Sequence, residues 1–194
     1  MINKTNITGI ILAGGKSSRM GQDKGLLKFK EQSFIQYSID ALTPLVSDII
    51  IVSDHAEHQL FGFKTIEDDE KDAGPVSGIC SGLEASKSTY NIILSCDIPF
   101  IKSRLLEKLL KHTDDAYDII QAESKGKTMP LIAIYKKQCL RTFKDLLNQG
   151  ERRLRVAVNH CVVKNVPTNF DEDKMTMNIN TKEELKLISD ADNS

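Results

Sequence analysis

The sequence predicts an α/β fold: a three-layer sandwich with helices on both faces of a mostly parallel, Rossmann-like central sheet. Short runs rich in isoleucine and valine alternate with amphipathic stretches of helical length, which is typical of βαβ units. These runs lack clean polar alternation, which indicates strands buried on both faces. A length of 194 residues with 40% hydrophobic content is enough for one domain with its own core. We therefore expect one domain over residues 1–194.

Six strands are predicted because six short apolar runs are bounded by polar or turn-forming residues. In chain order these runs are Ile7–Leu12, Asp48–Val52, Phe63–Ile66, Asn91–Ser95, Tyr117–Gln121 and Leu131–Tyr135. Several of the segments between them show the helical spacing of apolar residues. The helices predicted there are Phe34–Leu42, Val76–Ala85 and Lys102–His112.

Capping residues mark the starts of these helices. Ser33 stands where a side chain caps the first helix, and Pro75 is placed to begin the second. Residues 167–178 are predicted as a loop. A last helix is predicted after this loop, because Thr181 and Glu184 have the spacing of a capping box.

The overall charge argues against nucleic-acid binding driven by bulk charge. The 26 Lys and Arg residues are offset by 27 Asp and Glu, so no surplus of cations can release counterions from a polyanion. No apolar run approaches the roughly 18 residues of a membrane span, and no signal-peptide core follows Met1. We expect a cytoplasmic protein without a nucleic-acid or membrane partner.

Cysteine and histidine spacing argues against a zinc site or a disulfide framework. The four cysteines, Cys80, Cys96, Cys139 and Cys161, lie far apart without a Cys-x-x-Cys pair. We expect buried, reduced thiols. The pair His55-x-x-His58 lacks the glutamate and the i,i+4 spacing of a zinc-protease helix. A loop or helix end explains this pair.

Charge is nevertheless uneven along the chain. Between Lys125 and Arg155 there are nine Lys and Arg against only Asp145 and Glu151, a local excess of seven positive charges. This segment is expected to lie near an anionic ligand. Residues 67–72 carry the opposite bias, which indicates either a solvated loop or the edge of a nucleotide or metal site.

The first predicted strand runs into a glycine-rich loop with the properties of a phosphate-binding loop. Glycines let the backbone approach a ligand and present N–H groups to it. Positive charges follow at Lys16, Arg19 and Lys24. The glycines at positions 14, 15 and 21 do not have the spacing of the dinucleotide fingerprint. A Walker A loop is also excluded, because its first glycine would fall on Ile10.

The pattern that remains is Leu12-Ala13-Gly14-Gly15-x3-Arg19-Met20-Gly21-x2-Lys24, which resembles the signature of α/β nucleotidyltransferases. Further landmarks follow in order: Ile66-Glu67-Asp68, Gly74-Pro75 with Gly78, Ser95-Cys96-Asp97-Ile98-Pro99-Phe100, Gly150-Glu151-Arg152-Arg153 and Asn178-Ile179-Asn180-Thr181. With them the chain resembles the molybdenum cofactor guanylyltransferases over nearly its whole length.

The resemblance implies transfer of GMP from GTP to the phosphate of molybdenum-molybdopterin, with Mg²⁺ as cofactor. The products would be molybdopterin guanine dinucleotide cofactor and pyrophosphate, and molybdoenzymes or other cofactor-synthesis proteins would be partners. It implies catalytic roles for Lys24, Arg19 and Asp97. The implied nucleotide-binding residues, in the N-terminal part, are Leu12, Ala13, Gly14, Gly15, Lys24, Asp68 and Asp97. The implied acceptor-binding residues, in the C-terminal part, are Arg152, Arg153, Asn178 and Asn180.

Physical chemistry supports these roles separately, and each has a simpler alternative. Asp97 follows a strand, at the edge where open α/β sheets bind ligands, and one carboxylate facing phosphates suits Mg²⁺. Otherwise Asp97 only forms the turn before Pro99. The Arg152-Arg153 pair offers planar forks for phosphate, or else is a charged surface. Asn178 and Asn180 point the same way in an extended loop and suit a pterin edge, or else serve turn chemistry.

Two other functions remain open from the sequence. A cytidylyltransferase would share the fold and the loop, although cytidylyl relatives resemble Leu-Ala-Ala-Gly where this chain has Gly14-Gly15. A noncatalytic GTP-binding or cofactor-delivery protein would need neither Lys24 nor Asp97. The chain also departs from the family pattern, with Met129-Pro130 where His-Pro is common and Val52 or Ser53 where some members have an asparagine.

Overall fold

A single mixed sheet runs through the computed structural model, which describes residues 3–14, 24–68, 74–181 and 183–186. The strands are β1 (Ile7–Leu12), β2 (Lys28–Phe29), β3 (Gln32–Ser33), β4 (Asp48–Val52), β5 (Lys64–Ile66), β6 (Tyr90–Ser95), β7 (Ile119–Ser124), β8 (Lys127–Lys136) and β9 (Val163–Pro167). The α-helices are α1 (Phe34–Leu42), α2 (Pro75–Ala85), α3 (Ser103–Leu110), α4 (Cys139–Asn148), α5 (Leu154–Asn159) and α6 (Phe170–Asp173).

The central sheet has seven strands in the order β5-β4-β1-β6-β8-β7-β9. Its pairs are parallel except that β8 runs antiparallel to both of its neighbours, β6 and β7. The strands β2 and β3 form a separate small hairpin. The mostly parallel sheet predicted from the sequence is therefore confirmed.

Helices cover both faces of this sheet, which confirms the three layers. On one face α1 and α3 pack on alternate strand residues such as Ile11 and Ile51. On the other face α2, α4 and α5 pack on the intervening residues, such as Ile10 and Ile50. Because both sets of side chains are buried, the strands show no polar alternation.

Two glycines allow helices to approach the central strand β1 closely. A Cβ atom at Gly82 in α2 would lie 2.5 Å from Ile10 Cγ2, and one at Gly9 would lie 2.9 Å from Leu42 Cδ1. Contacts this short force neighbouring atoms to move. Glycine at these positions therefore sets the spacing between the layers.

The predicted elements agree best with the structure in the N-terminal half. The predicted bounds of β1, β4 and α1 are those observed, and β5, β6, α2 and α3 differ at their ends. Ser33 occupies the N-cap position of α1, but its hydroxyl makes no capping bond. The backbone N–H of Phe34 donates instead to the carbonyl of Leu27 at 2.9 Å.

The C-terminal half departs more from the prediction. β7 and β8 are longer than predicted, because the turn at Lys125 and Gly126, with φ of 51° and 72°, closes a hairpin. The helices α4 and α5 and the strand β9 were not predicted. The loop predicted over 167–178 is wrong, since α6 begins there with a capping box formed by Asn169 and Glu172.

The predicted last capping box is confirmed. The backbone N–H of Glu184 donates to Thr181 Oγ1 at 3.1 Å, and the N–H of Thr181 donates to Glu184 Oε2 at 3.2 Å. Residues 183–186 are helical.

The cysteines carry thiols and form no disulfide, as expected. Cys80, Cys96 and Cys139 are buried, whereas Cys161 is only half-buried. His58 is fully buried, with Nδ1 2.7 Å from Ser53 Oγ. Among the described residues, no helix has the length and apolar character needed to cross a membrane.

We expect Gly82→Ala to destabilise the fold. The added methyl group meets a stiff isoleucine on a central strand, so overpacking of about 1–3 kcal/mol outweighs the gain of about 1 kcal/mol in helix propensity. Urea unfolding of the variant and the wild type measures the difference. Glu107→Ala, at an exposed position of α3, is the control and should change stability by less than about 0.5 kcal/mol. Equal or higher stability of Gly82→Ala would show that the layers can separate without cost.

Candidate active site

Several of the predicted site residues lie at the edge where the parallel strands β1, β4 and β6 end. β1 lies between β4 and β6, and Leu12 is in register with Val52 on one side and Ser95 on the other. Two backbone bonds continue this register, from the N–H of Ala13 to the carbonyl of Val52 at 2.9 Å and from the N–H of Cys96 to the carbonyl of Leu12 at 3.1 Å. The segments that follow β1, β4 and β6 therefore begin at the same edge of the sheet.

Asp97 lies at this edge and is 9% exposed. Ser95 Oγ donates to Asp97 Oδ1 at 2.7 Å. The other carboxylate oxygen, Oδ2, lies 3.6 Å from the Lys24 ammonium nitrogen, which forms an ion pair with it. The ion pair balances the charge of a largely buried carboxylate. Both oxygens of Asp97 therefore have side-chain partners. A residue that only forms the turn before Pro99 needs neither contact.

Lys24 has a second contact, with a residue from the far end of the chain. Its ammonium donates to Asn180 Oδ1 at 2.8 Å, across 156 positions of sequence. The N–H of Ile179 donates to the carbonyl of Asp97 at 2.9 Å, which brings this segment to the sheet edge. The structure therefore brings together three residues predicted for the site, Lys24, Asp97 and Asn180. Asn178, two residues earlier, is exposed.

Asp68 follows β5 and contacts the start of α2. Its Oδ1 accepts a short hydrogen bond from Ser77 Oγ and a longer one from Ser81 Oγ at 3.5 Å. A Cβ at Gly78 would lie 3.4 Å from Leu12 Cδ2 and 3.6 Å from Asp68 Oδ2. These are ordinary contact distances, so Leu12 and Asp68 both neighbour Gly78 and share one wall of the site.

Gly14 lies at the same edge and is exposed. A Cβ at this position would lie 3.8 Å from Ser53 Cα and from the Val52 carbonyl, an ordinary contact distance. Protein packing therefore does not require glycine here. Gly15 and Arg19, predicted for the nucleotide and for catalysis, lie outside the described residues.

The two departures from the family pattern are both directed into the protein. Ser53 contacts His58 and accepts a hydrogen bond from the N–H of His55 at 3.0 Å. Met129, the other departure, packs against the hydrophobic core that includes residues of α1 and α3.

Glu151, Arg152 and Arg153 line a cavity of about 560 Å³ beside the turn between α4 and α5. Arg153 donates to both Glu151 oxygens, from Nε at 2.9 Å and from a terminal nitrogen at 2.6 Å. Arg152 donates from its guanidinium to the carbonyl of Leu147 at 2.8 Å. The Arg153 fork is thus bound to a carboxylate.

Hydrogen bonds lower the pKa of Glu151 to about 2. The side chain of Arg153 contributes most, followed by its backbone N–H, with the N–H of Arg152 adding less. The carboxylate is therefore charged throughout the neutral range. The carbonyl of Arg152 would lie 3.6 Å from a Cβ at Gly74, so the basic segment borders the start of α2.

Three polar residues of this region were not singled out from the sequence. Ser95 holds one oxygen of Asp97, Ser77 holds Asp68, and Glu151 holds Arg153. The signal for Ser95 was its place at the end of β6, two residues before an aspartate that lies in the turn following the strand. Ser77 had no comparable signal, since its partner lies on another element.

We expect Arg153→Ala to raise the pKa of the Glu151 carboxyl from about 2 by about one unit or more, because the largest stabilising contact of the charged form is removed. An NMR titration of the carboxyl carbon measures this shift. Arg141→Ala, an exposed arginine on α4, is the control and should leave the pKa unchanged. A pKa that stays near its original value in Arg153→Ala would assign the effect to the backbone N–H groups instead.

Comparison with known proteins shows the family to which this chain belongs. The family model for the MobA-like NTP transferase domain matches residues 9–162. A protein of Flavobacterium johnsoniae named probable molybdenum cofactor guanylyltransferase is 36% identical over 94% of this chain and 96% of its own length. A protein of Bacillus mycoides with the same name is 34% identical over 91% of this chain and 92% of its own.

Solved structures show the same fold at lower identity. The crystal structure of molybdopterin-guanine dinucleotide biosynthesis protein A from Archaeoglobus fulgidus superposes with a TM-score of 0.81, at 22% identity, over 96% of this chain and 98% of that one. The family model covers most of the chain, and the relatives named above match nearly all of it. The chain therefore belongs to the family of MobA-like NTP transferase domains that includes these molybdenum cofactor guanylyltransferases.

Proposed function

We propose that this protein transfers GMP from GTP to the terminal phosphate of molybdenum-molybdopterin. The products are molybdopterin guanine dinucleotide cofactor and pyrophosphate. The observation that carries the proposal is the pairing of Lys24 with Asp97 at the edge where β1 and β6 end. The names of the relatives at 34–36% identity support the choice of acceptor and nucleotide.

The reaction needs charge and position more than a nucleophilic side chain. A phosphate oxygen of the acceptor attacks the α-phosphorus of GTP, a new P–O bond forms, and the bond to the bridging oxygen of the β-phosphate breaks. Negative charge then grows on the departing pyrophosphate. The ammonium of Lys24 and the predicted contribution of Arg19 stabilise that charge, and the backbone N–H groups of the glycine loop add to it.

Asp97 is the residue that would hold Mg²⁺. It is a single carboxylate facing the proposed phosphate site, and Mg²⁺ binds proteins through one or two carboxylates together with phosphate oxygens and water. Ser95 donates a hydrogen bond to Oδ1, and Oδ2 forms the ion pair with Lys24. Bound Mg²⁺ would neutralise phosphate charge. The residues present thus fit the metal.

The nucleoside is assigned to the wall made by Leu12, Ala13, Gly14 and Asp68, with Gly15 completing the loop. Asp68 lies beside α2, where a Cβ at Gly78 would be 3.6 Å from Asp68 Oδ2. The carboxylate is oriented by Ser77 and has lone pairs for a base or ribose donor. Because Gly14 is not required by protein packing, its exposed backbone leaves room for the ligand.

The acceptor is assigned to Arg152, Arg153, Asn178 and Asn180. The cavity at Arg152 and Arg153 borders the start of α2, the helix that also carries the partner of Asp68. We assign the acceptor phosphate to the C-terminal part of the domain and the nucleotide to the N-terminal part. Molybdoenzymes or other proteins of cofactor synthesis, in the cytoplasm, are the partners that this function implies.

The experiment that tests the proposal is release of pyrophosphate with Mg²⁺ and metal-loaded molybdopterin, measured separately with GTP, CTP and ATP. The proposal predicts turnover with GTP and little with the other two. Preference for CTP would favour the cytidylyltransferase. Binding of GTP without pyrophosphate release would favour the noncatalytic GTP-binding or delivery protein.

We expect Lys24→Ala to lower kcat by about 10²–10³-fold while changing GTP affinity much less. The ammonium meets charge that develops only as pyrophosphate leaves, and loss of one such donor typically has this effect on rate. Steady-state kinetics and GTP titration measure the two quantities. Lys28→Ala, an exposed lysine on β2, is the control and should retain wild-type kinetics. Unchanged kcat in Lys24→Ala would remove the residue from the catalytic set.

We expect the double variant Arg152→Ala/Arg153→Ala to raise KM for the molybdopterin acceptor by about 10-fold or more, with GTP binding nearly unchanged. Charge-assisted hydrogen bonds of about 1.5–3 kcal/mol each would be lost. Separate titrations with GTP and with the pterin at two salt concentrations test this expectation. Arg104→Ala/Arg141→Ala, which removes two exposed arginines elsewhere, is the matched control. An acceptor affinity equal to that of the control would place both arginines outside the site.

A further inference from the structure

We propose that Asn180 is a positioning residue for Lys24. Its side-chain oxygen accepts the hydrogen bond from the lysine ammonium at 2.8 Å and so holds that ammonium beside Asp97. This role differs from contact with the acceptor, which the sequence predicts for Asn180. The positioning role rests on the proposed function in one respect, namely that Lys24 acts on the phosphates.

Two backbone hydrogen bonds anchor the chain at Asn180. The N–H of Ile179 donates to the carbonyl of Asp97 at 2.9 Å, and the N–H of Asn180 itself donates to Glu184 Oε2 at 2.7 Å. Glu184 is in turn part of the capping box with Thr181. The amide oxygen is therefore presented from a fixed backbone.

One small apolar cluster ties the segment of Asn180 to the segment of Lys24. Ile179 is fully buried with Phe29 and Phe34, and Leu27 packs against the same cluster. Leu27 also donates its N–H to the carbonyl of Lys24 at 3.2 Å. The cluster thus fixes the backbone near Lys24 and the backbone near Asn180. It does so without using the side chains of these two residues.

Lysine needs such a partner because its stem is flexible. Holding a lysine side chain in one conformation costs rotamer entropy, so its position must be stabilised by contacts. An ammonium has three donors, and Asn180 and Asp97 engage two of them at most. Asn180 is neutral, so it orients the ammonium without cancelling the charge that phosphates require.

The same side chain can still contact the acceptor. Asn180 uses its oxygen for Lys24, and its amide nitrogen is a separate donor that can reach an acceptor oxygen at the same time. The lysine that acts on the nucleotide is thereby linked to the segment assigned to the pterin. An acceptor contact alone and a positioning role therefore make different predictions for kcat and for the lysine itself.

The first test needs no substrate. The rate at which Lys24 is modified by an amine-directed acylating reagent is measured by mass spectrometry in the protein alone, with the exposed Lys28 as internal reference. Asn180→Ala should raise the rate at Lys24 by about three-fold or more relative to Lys28, because the ammonium loses a hydrogen bond and its fixed position. Asn148→Ala, an exposed asparagine at the end of α4, should not.

The second test is a double-mutant cycle on turnover at saturating acceptor. Asn180→Ala should lower kcat about 10-fold in the wild-type background and should have no further effect in Lys24→Ala, because the interaction it supports is already gone. A rise in acceptor KM alone, equal in both backgrounds, would overturn the positioning role in favour of acceptor contact. An unchanged labelling rate in Asn180→Ala would overturn it as well.

The two proposals fail separately. If the wild type releases no pyrophosphate with any nucleotide but Asn180→Ala still exposes Lys24 to the reagent, the proposed function fails and the positioning role stands. If the wild type turns over GTP while the labelling rate does not change, the function stands and the positioning role is overturned.

Discussion

The register of β1 between two parallel neighbours is the constraint on which the site depends. Because Leu12 is level with both Val52 and Ser95, the loops after three strands leave the sheet at one edge. The register is maintained by tight packing below it, where Gly82 leaves no room for a methyl group against Ile10. A shift of β1 by one residue would turn its side chains to the opposite faces and separate the glycine loop from Asp97. The layered core thus sets the position of the polar edge.

At that edge, Asp97 and Lys24 carry opposite charges, and their charged atoms lie 3.6 Å apart. Asp97 is largely buried and has its charge met by Lys24, while Lys24 is also held by a neutral amide. In such a partly dry environment an ammonium interacts more strongly with phosphate than it does in water. In the proposed reaction, the substrate enters a site whose cation is already in place, so little reorganisation accompanies the chemical step. This preorganisation uses residues from both ends of the chain.

The sequence could predict the sheet edge but only part of what meets there. Isolated apolar runs, such as β1 and β4, are specified locally and were predicted with their observed bounds. α4 and α5 were not predicted, because their part of the sequence was interpreted for its charge. α6 was not predicted either, although Asn169 and Glu172 have the spacing of a capping box. The bond between Lys24 and Asn180 spans 156 positions and depends on the cluster around Ile179, so no local pattern indicates it. The ligand roles of the site residues stay predictions.

The basic segment shows why a charge count along the sequence overstates attraction for a phosphate. Of its nine cations, Lys144 pairs with Glu84 at 2.6 Å and Lys136 with Asp115 at 3.8 Å, both acids lying outside the segment. Arg153 is bound by Glu151 at 2.6 Å, and its hydrogen bonds to that carboxylate are the largest cause of the lowered pKa of Glu151. An acceptor phosphate that used the Arg153 fork would have to displace this carboxylate, and the exchange of one anion for another yields less than binding to an unpaired guanidinium.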